Sequence, residues 1–384
     1  MPAVSKLCVE TWQVILRYAI SVPDFLDPDA YEGVLSTYMW TSSESPLNDE
    51  SAYWRTERTR HRLQRVAKSW DRYLRQFEHR FVRMLDVVNG AVPPSKLKNA
   101  VRISFGLYKH IGLGSRWGNF SVCCVRAMES VESTLVNIVD MKEQANRDLM
   151  RLFPKLQHTK TLLWNLSCTD PGLAEMSTQL PHLRHVYGLR FGYHDTTMAP
   201  IFQNLFTLSI SISPRTICSR TGFILPSLQH LRISIWPTAG SRFTRDVLRL
   251  VGRQLRSFHI CGDPPIEKLE GIWNLCPKME SHRTCFELDP PPLFHPIRVL
   301  ILDSAQQLDD VISLLDWPNL QRVKLNSFQR DRGDMWWEEF ILSRDNIRIE
   351  DRSGLTLSEY RAGSRSKGVA HSSPWCRVPV NFTS

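Results

Sequence analysis

His259, Cys261, Cys276, His282 and Cys285 are the densest gathering of soft ligands in the chain. Thiolate and imidazole groups in that number can complete a tetrahedral zinc site. The nine cysteines, at 8, 123, 124, 168, 218, 261, 276, 285 and 376, nevertheless contain no CxxC pair. The five candidate ligands also fall inside recurring apolar segments, where a small cysteine fills a core well. Core filling is therefore the reading adopted, with no metal and no other cofactor expected. His194 and Asp195 are adjacent, but adjacency does not aim a base at a nucleophile. Gly112, Gly114 and Gly118 have the wrong spacing for a dinucleotide fingerprint, and GxxxxGK, HExxH and GxSxG do not occur. No catalytic site is expected.

Charge offers a different chemistry. The chain carries a formal +9. Between Arg55 and Arg83 lie Arg55, Arg58, Arg60, Arg62, Arg65, Lys68, Arg72, Arg75, Arg80 and Arg83, against Glu57, Asp71 and Glu78. From Arg361 to the end there are Arg361, Arg365, Lys367 and Arg377 with no acid, so the remainder is close to neutral. A basic helix with Trp54, Trp70 and Tyr73 beside it could contact phosphates and stack bases, which makes nucleic acid an alternative partner. A solvated helix face is the simpler reading. Arg17, Asp24 and Asp27 break the apolar N-terminal run, and no stretch reaches the roughly 18 apolar residues of a membrane span. Met1 to Lys6 does not start a secretory signal. Scattered, odd-numbered cysteines fit a reducing compartment, cytoplasmic or nuclear. The sequons at Asn119, Asn165 and Asn381 then carry no meaning.

The elements that would position a binding site follow from periodicity. Cys8, Val9, Trp12, Ile15, Leu16 and Ala19 recur at helical spacing, with Pro23 and Pro28 expected to end that helix. Asp24 to Arg62 has no steady period. From Glu57 onward Leu63, Val66, Trp70, Tyr73, Leu74 and Phe77 form a second apolar stripe, and Ala100 to Phe105 reads as a strand.

An L-x-x-L-x-L pattern then recurs. It appears as Leu205, Leu208, Ile210; Leu228, Leu231, Ile233; Leu255, Phe258, Ile260; Ile297, Leu300, Leu302; and Leu320, Val323, Leu325, with weaker copies at Leu156, Leu183 and Met279. Successive first anchors lie 27, 22, 23, 27, 24, 18 and 23 residues apart. All but one fall in the roughly 20–29 range of leucine-rich repeats. Several copies open on a proline two residues before the anchor: Pro154, Pro181, Pro226, Pro277 and Pro318. Helix-compatible stretches, Phe243 to Leu255 and Gln306 to Leu315, lie between strands. Each copy would supply one short strand and bury its face only by stacking on neighbours.

Two N-terminal fragments carry a resemblance. Leu7-Cys8-Val9-Glu10 is followed by Ile15-Leu16, and later comes Leu63-Gln64-Arg65-Val66-Ala67-Lys68-Ser69-Trp70-Asp71-Arg72-Tyr73-Leu74. These look like the halves of an F-box, with Cys8 where proline is usual, Ala67 where cysteine is usual, and about forty residues inserted between. With the Pro-led repeats, the chain resembles fungal F-box-like proteins that have C-terminal leucine-rich repeats. The resemblance implies an α/β protein: an N-terminal helical F-box-like segment followed by an irregular leucine-rich-repeat solenoid with a parallel sheet. It places a helical domain at 1–92 with an insertion at about 24–62, the solenoid at 95–345, and a basic, mostly disordered tail at 346–384. It implies a substrate-recognition subunit of a cullin-RING ubiquitin ligase. Leu7, Cys8, Val9, Trp12, Ile15, Leu16, Val66 and Trp70 would meet a Skp-type adaptor, and the repeats would hold a protein substrate. The competing reading is a repeat scaffold whose N-terminal helices only close one end.

Overall fold

In a computed structural model of the chain, the residues described are 8–31, 50–105, 117–131, 136–141, 151–164, 167–168, 170–191, 200–212, 224–235, 240–262, 271–284, 291–302, 317–325, 347–351 and 356. The protein is α/β, with helices at its N-terminus and parallel strands after them. Two compact units divide it, Met1–Met279 and Glu280–Ser384.

The first unit opens with α1 (Val9–Ala19), α2 (Pro23–Leu26), α3 (Glu50–Gln64) and α4 (Lys68–Leu74). Helix α1 ends at Ile20, whose N–H still bonds Leu16 O. The helix thus ends before Pro23, which starts α2, where a residue without an N–H costs nothing. Most of α3 falls within the span read as an aperiodic insertion. Its buried side chains are Tyr53, Glu57 and Arg60, so two of its three inward positions are charged and no apolar stripe marks it. The stripe expected from Leu63 to Phe77 is broken at Arg65–Ala67, where the chain turns into α4.

Nine strands follow among the described residues: β1 (Phe81–Arg83), β2 (Arg102–Ser104), β3 (Ile138–Met141), β4 (Thr161–Trp164), β5 (Ser167–Cys168), β6 (His185–Phe191), β7 (Thr207–Ile212), β8 (His230–Ile235) and β9 (Ser257–Gly262). All their pairings are parallel, in the order β1-β2-β3-β4-β6-β7-β8-β9 with β5 beside β6. Helices α5 (Met84–Val88), α6 (Trp117–Glu129), α7 (Asp170–Gln179) and α8 (Gly240–Val251) lie between strands in sequence. Among the described residues the sheet thus begins at Phe81, earlier than the expected boundary near residue 95. A three-residue strand between Arg80 and Met84 is too short to show the alternation that marks strands in sequence.

Register explains the apolar pattern. Val82, Ile103, Val139, Leu162, Val186, Leu208, Leu231 and Phe258 align in one cross-strand row, and all are buried. In β6 the register shifts between Val186 and Leu189, and Gly188 takes up the extra residue at φ 73°, a conformation that glycine adopts without strain. Every first anchor from Leu156 to Leu320 is also buried. The anchor N–H donates to the carbonyl three residues back at Leu156→Phe153, Leu183→Leu180, Leu228→Leu225, Met279→Cys276 and Leu320→Trp317, at 2.9 to 3.3 Å. The recurring proline is the second residue of each of these turns, where its fixed φ suits the geometry. Neighbouring turns are tied by side chains: Asn204 Nδ2 donates to Pro181 O at 2.9 Å, and Ser227 Oγ to Gln203 O at 2.7 Å.

The opposite face of the sheet buries several polar side chains, although parallel sheets covered on both faces are usually apolar on both. Thr161, His185 and Thr207 align there, and His185 Nδ1 lies 3.1 Å from Thr207 Oγ1. Burial, aided by the Arg184 charge, pushes the His185 imidazole down to about 3. Asp29 approaches it at 3.9 Å but pairs more closely, at 2.7 Å, with Arg184, so burial prevails and His185 stays neutral. His230 is pushed down to about 4 by burial and by Arg256.

The second unit holds β10 (Ser281–Thr284), β11 (Val299–Leu302), β12 (Arg322–Leu325) and β13 (Arg348–Asp351), paired parallel in that order. His282, Leu300, Val323 and Ile349 form its buried row. Asn319 Nδ2 donates to His295 O at 2.9 Å, the same kind of tie between turns. The expected helix at Gln306 to Leu315 and nearly all of the basic tail lie outside the described residues.

Leu231→Ala should lower stability by on the order of 2–5 kcal/mol, because its row is fully packed; chemical denaturation measures it. A pH effect follows from the two buried imidazoles. The folded chain keeps them neutral, while the unfolded chain protonates them below about 6.5. The unfolded state then binds more protons, so their contribution is fully present above that pH and is lost as pH falls toward 4 and then 3. The melting temperature should drop between pH 7.5 and pH 5, roughly the window of free histidine, and His185→Asn should flatten that drop.

Candidate functional site

The two fragments that carry the F-box resemblance meet in space. Trp12 of α1 and Trp70 of α4 pack against each other, their rings tilted by 43° with centroids 5.2 Å apart. Leu16, Ile20 and Leu74 form a buried cluster against which Leu63, Trp70, Tyr73 and Phe77 pack. Tyr73 Oη donates to Gln13 O at 3.3 Å, and Arg80 donates to Ile20 O at 2.8 Å.

This packing sorts the expected contact residues. Leu7 lies outside the described residues. Leu16, expected at the surface of a docking site, is 2% exposed and serves the core. Trp12 and Trp70 are half-buried against each other. Cys8, Val9, Ile15 and Val66 are exposed. Two apolar residues absent from the expected set join them: Val14 at 67% and Tyr18 at 85% exposure. Thr11, Val14, Ile15 and Tyr18 stand at i, i+3, i+4 and i+7, one face of α1 turned away from the Leu16 side. Reading the helix for a single stripe hides this second one, since α1 is apolar on both sides.

Beneath that face the helices are held on the sheet by buried charge. Glu57 receives Arg60 at 2.7 Å and Arg80 at 3.8 Å, and Arg60 also reaches Glu78 at 3.5 Å. Lys96 pairs with Glu78 at 3.4 Å. Burial opposes ionisation of Glu78, yet Arg60 and Lys96 hold its carboxyl below the usual value. Burial pushes the Tyr53 hydroxyl up, and its oxygen accepts from the Phe81 N–H at 3.4 Å. Phe25, Tyr53 and Phe81 form an aromatic cluster, with Phe81 edge-on to Phe25 at 5.0 Å. The Arg102 guanidinium lies 4.0 Å over the Phe25 ring, donates to Phe25 O at 3.0 Å and pairs with Asp140 at 3.4 Å. Further along, Thr161 Oγ1 donates to Pro28 O at 3.1 Å.

The basic run serves two purposes. Arg60, Arg80 and Arg83 turn inward to Glu57, Glu78 and Glu50, whereas Arg55, Arg58 and Arg62 of α3 and Arg65 just after it are exposed. Of the aromatic residues considered for base stacking, Trp70 is engaged with Trp12, and Tyr73 with Phe77 at 5.4 Å. Trp54 is on the surface, 5.4 Å from the Arg83 guanidinium. The candidate zinc ligands read differently too. Burial pushes the Cys276 thiol up to about 12. A Cβ on Gly252 would lie 3.1 Å from Cys276 Sγ, so the thiol fills a tight core. Among the described residues no group of three or more His, Cys, Asp or Glu side chains gathers to hold a metal; Cys285 and His194-Asp195 lie outside them. Among the same residues, no helix is long and apolar enough to cross a membrane.

No family model matches the chain, and no curated protein matches it in sequence.

The two sides of α1 should respond in opposite ways. Leu16→Ala should cost on the order of 2–5 kcal/mol. Tyr18→Asp should shift stability by no more than about 0.5 kcal/mol, since the side chain stands in solvent. Denaturant midpoints of the two variants check the pair.

Proposed function

We propose that this chain is an F-box-like substrate-recognition subunit of a cullin-RING ubiquitin ligase, working in the cytoplasm or nucleus. In this reading α1 docks on a Skp-type adaptor, and the stacked repeats, forming an irregular leucine-rich-repeat solenoid, hold a protein substrate. The chain itself performs no chemistry; it brings the substrate near the ligase. The observation that carries the reading is α1 itself. Its Trp12–Leu16 side packs on the second motif fragment, and its Val14–Ile15–Tyr18 side stands in solvent. A helix apolar on both sides suits a partner on each. Support for the solenoid comes from the recurring Pro-led turn, the buried anchors and the parallel register between successive copies.

A second reading is favoured by the clamp around Arg102. The segment from Phe25 to Asp29 is bonded to β2, β4 and Arg184, the residue just before β6, which is what an end cap would require. The chain would then be a repeat scaffold without a ligase connection.

Capture of a purified Skp-type adaptor by the full-length chain separates the two. Wild type should retain the adaptor, and Val14→Asp with Tyr18→Asp should abolish retention with the melting temperature unchanged, because a carboxylate forced into a dry apolar contact costs several kcal/mol, on the order of 2–7. Equal retention by both proteins, or none by wild type, rejects the ligase reading in favour of the scaffold.

A further inference from the structure

The solvent side of α1 repeats at an interval of seven residues. Thr11 and Tyr18 are seven apart with Val14 between them, the spacing of a heptad seam along which one helix meets another. Val14 and Tyr18 stand well out into solvent, and Thr11 is exposed with them. On one flank of the seam lie Glu10 and Arg17, again seven apart and both exposed. On the other lie Ile15 and Cys8, the residue just before the helix, at the same interval and both exposed. Each flank thus repeats with the seam, and one of them carries opposite charges on successive heptads.

We propose that α1 pairs antiparallel with α1 of a second copy of this chain, so that the free protein closes its own docking face. Charge decides both the occupant and the direction. The two-fold axis of an antiparallel pair sets each flank opposite the same flank of the other copy, so Glu10 of each meets Arg17 of the other, at two equivalent places. Thr11 then meets Val14 of the second copy, Ile15 meets Cys8, and Tyr18 lies at the start of the second helix. A parallel pair would put Glu10 beside Ile15, a charge against an apolar side chain. Sliding the antiparallel pair by one heptad sets Arg17 against Arg17, or Glu10 against Glu10. One arrangement therefore satisfies seam and charge together. A helix of 11 residues offers little area, so the association is weak and reversible, at the low end of specific interfaces. Such a pairing yields readily to another partner. That it competes with a Skp-type adaptor rests on the ligase reading; the pairing itself does not.

Analytical ultracentrifugation of the full-length chain over a concentration series, without adaptor, reads the pairing directly. Wild type should pass from monomer to dimer. Glu10→Arg and Arg17→Glu should each weaken self-association by about tenfold, because two attractions become two repulsions. An equimolar mixture of these two variants should associate as wild type does, since each cation then opposes a carboxylate; misfolded variants could not recover in this way. For direction, Thr11→Cys and Val14→Cys variants, mixed and mildly oxidised, should join through their introduced thiols, as mass spectrometry of the linked peptides shows. A wild type monomeric throughout, indifference to either charge substitution, no recovery in the mixture, or links only between identical introduced thiols overturns the proposal. Added Skp-type adaptor should dissolve the dimer, and an adaptor held by an intact dimer overturns the competition. Wild type that dimerises yet captures no adaptor rejects the ligase reading and leaves the pairing standing. Capture of the adaptor by a chain that never dimerises does the reverse.

Discussion

A strand of two to seven residues offers only a few inward side chains and cannot bury them by itself. The row from Val82 to Phe258 is the solution this chain adopts, each residue closing on the one before and the one after. Everything else is subordinate to keeping that row in line. The proline-led turns deliver each anchor at the same height, and the side-chain ties between turns hold that height from one copy to the next. Where a copy is one residue too long, as in β6, Gly188 absorbs the excess and the register resumes at Leu189 opposite Ile210.

The second constraint is electrostatic. A parallel sheet buried on both faces normally carries apolar side chains on both. Here the second face holds Arg102, Asp140, His185 and Thr207 beside Phe81, Ile138, Leu163 and Tyr187. Each is reconciled with burial by a definite partner or by losing its charge: Arg102 by Asp140, Phe25 O and a ring face, His185 by staying neutral beside Thr207. Breaking one side of such a contact leaves an uncompensated buried group, which costs more than the contact contributes. The polar face therefore acts more as a specification of which segment may lie on the sheet than as a source of stability.

The repeat pattern was legible because it is written in apolar residues at fixed offsets, and Leu208, Leu231, Leu300 and Val323 are buried as that pattern requires. The packing of Trp12 on Trp70 was accessible only through resemblance, since no spacing rule links residues so far apart in sequence. Helix α3 was hidden because it buries Glu57 and Arg60, and charge at inward positions cancels the signal that periodicity detects. β1 was hidden by brevity. The outward side of α1 was hidden for a different reason: Val14 and Tyr18 look like part of one broad apolar helix until the core is seen to need only half of it. The gathering of Arg322, Lys324 and Arg348 on Glu350 could not be read in advance, because these residues come together only when β12 and β13 align.

The place where Phe25 to Asp29 meets the sheet bears on how such a protein can change over evolutionary time. A docking domain tethered by a loose linker can be shuffled between genes, because its boundary crosses little buried surface. In this chain any cut between helices and sheet passes through the guanidinium of Arg102 and the hydroxyl of Thr161, whose acceptors are Phe25 O and Pro28 O. A recombinant that joined these helices to a foreign sheet, or this sheet to foreign helices, would inherit a buried cation missing part of its shell. The N-terminal segment and the strands are thus constrained to be inherited together, and change at one side of the seam selects for matching change at the other.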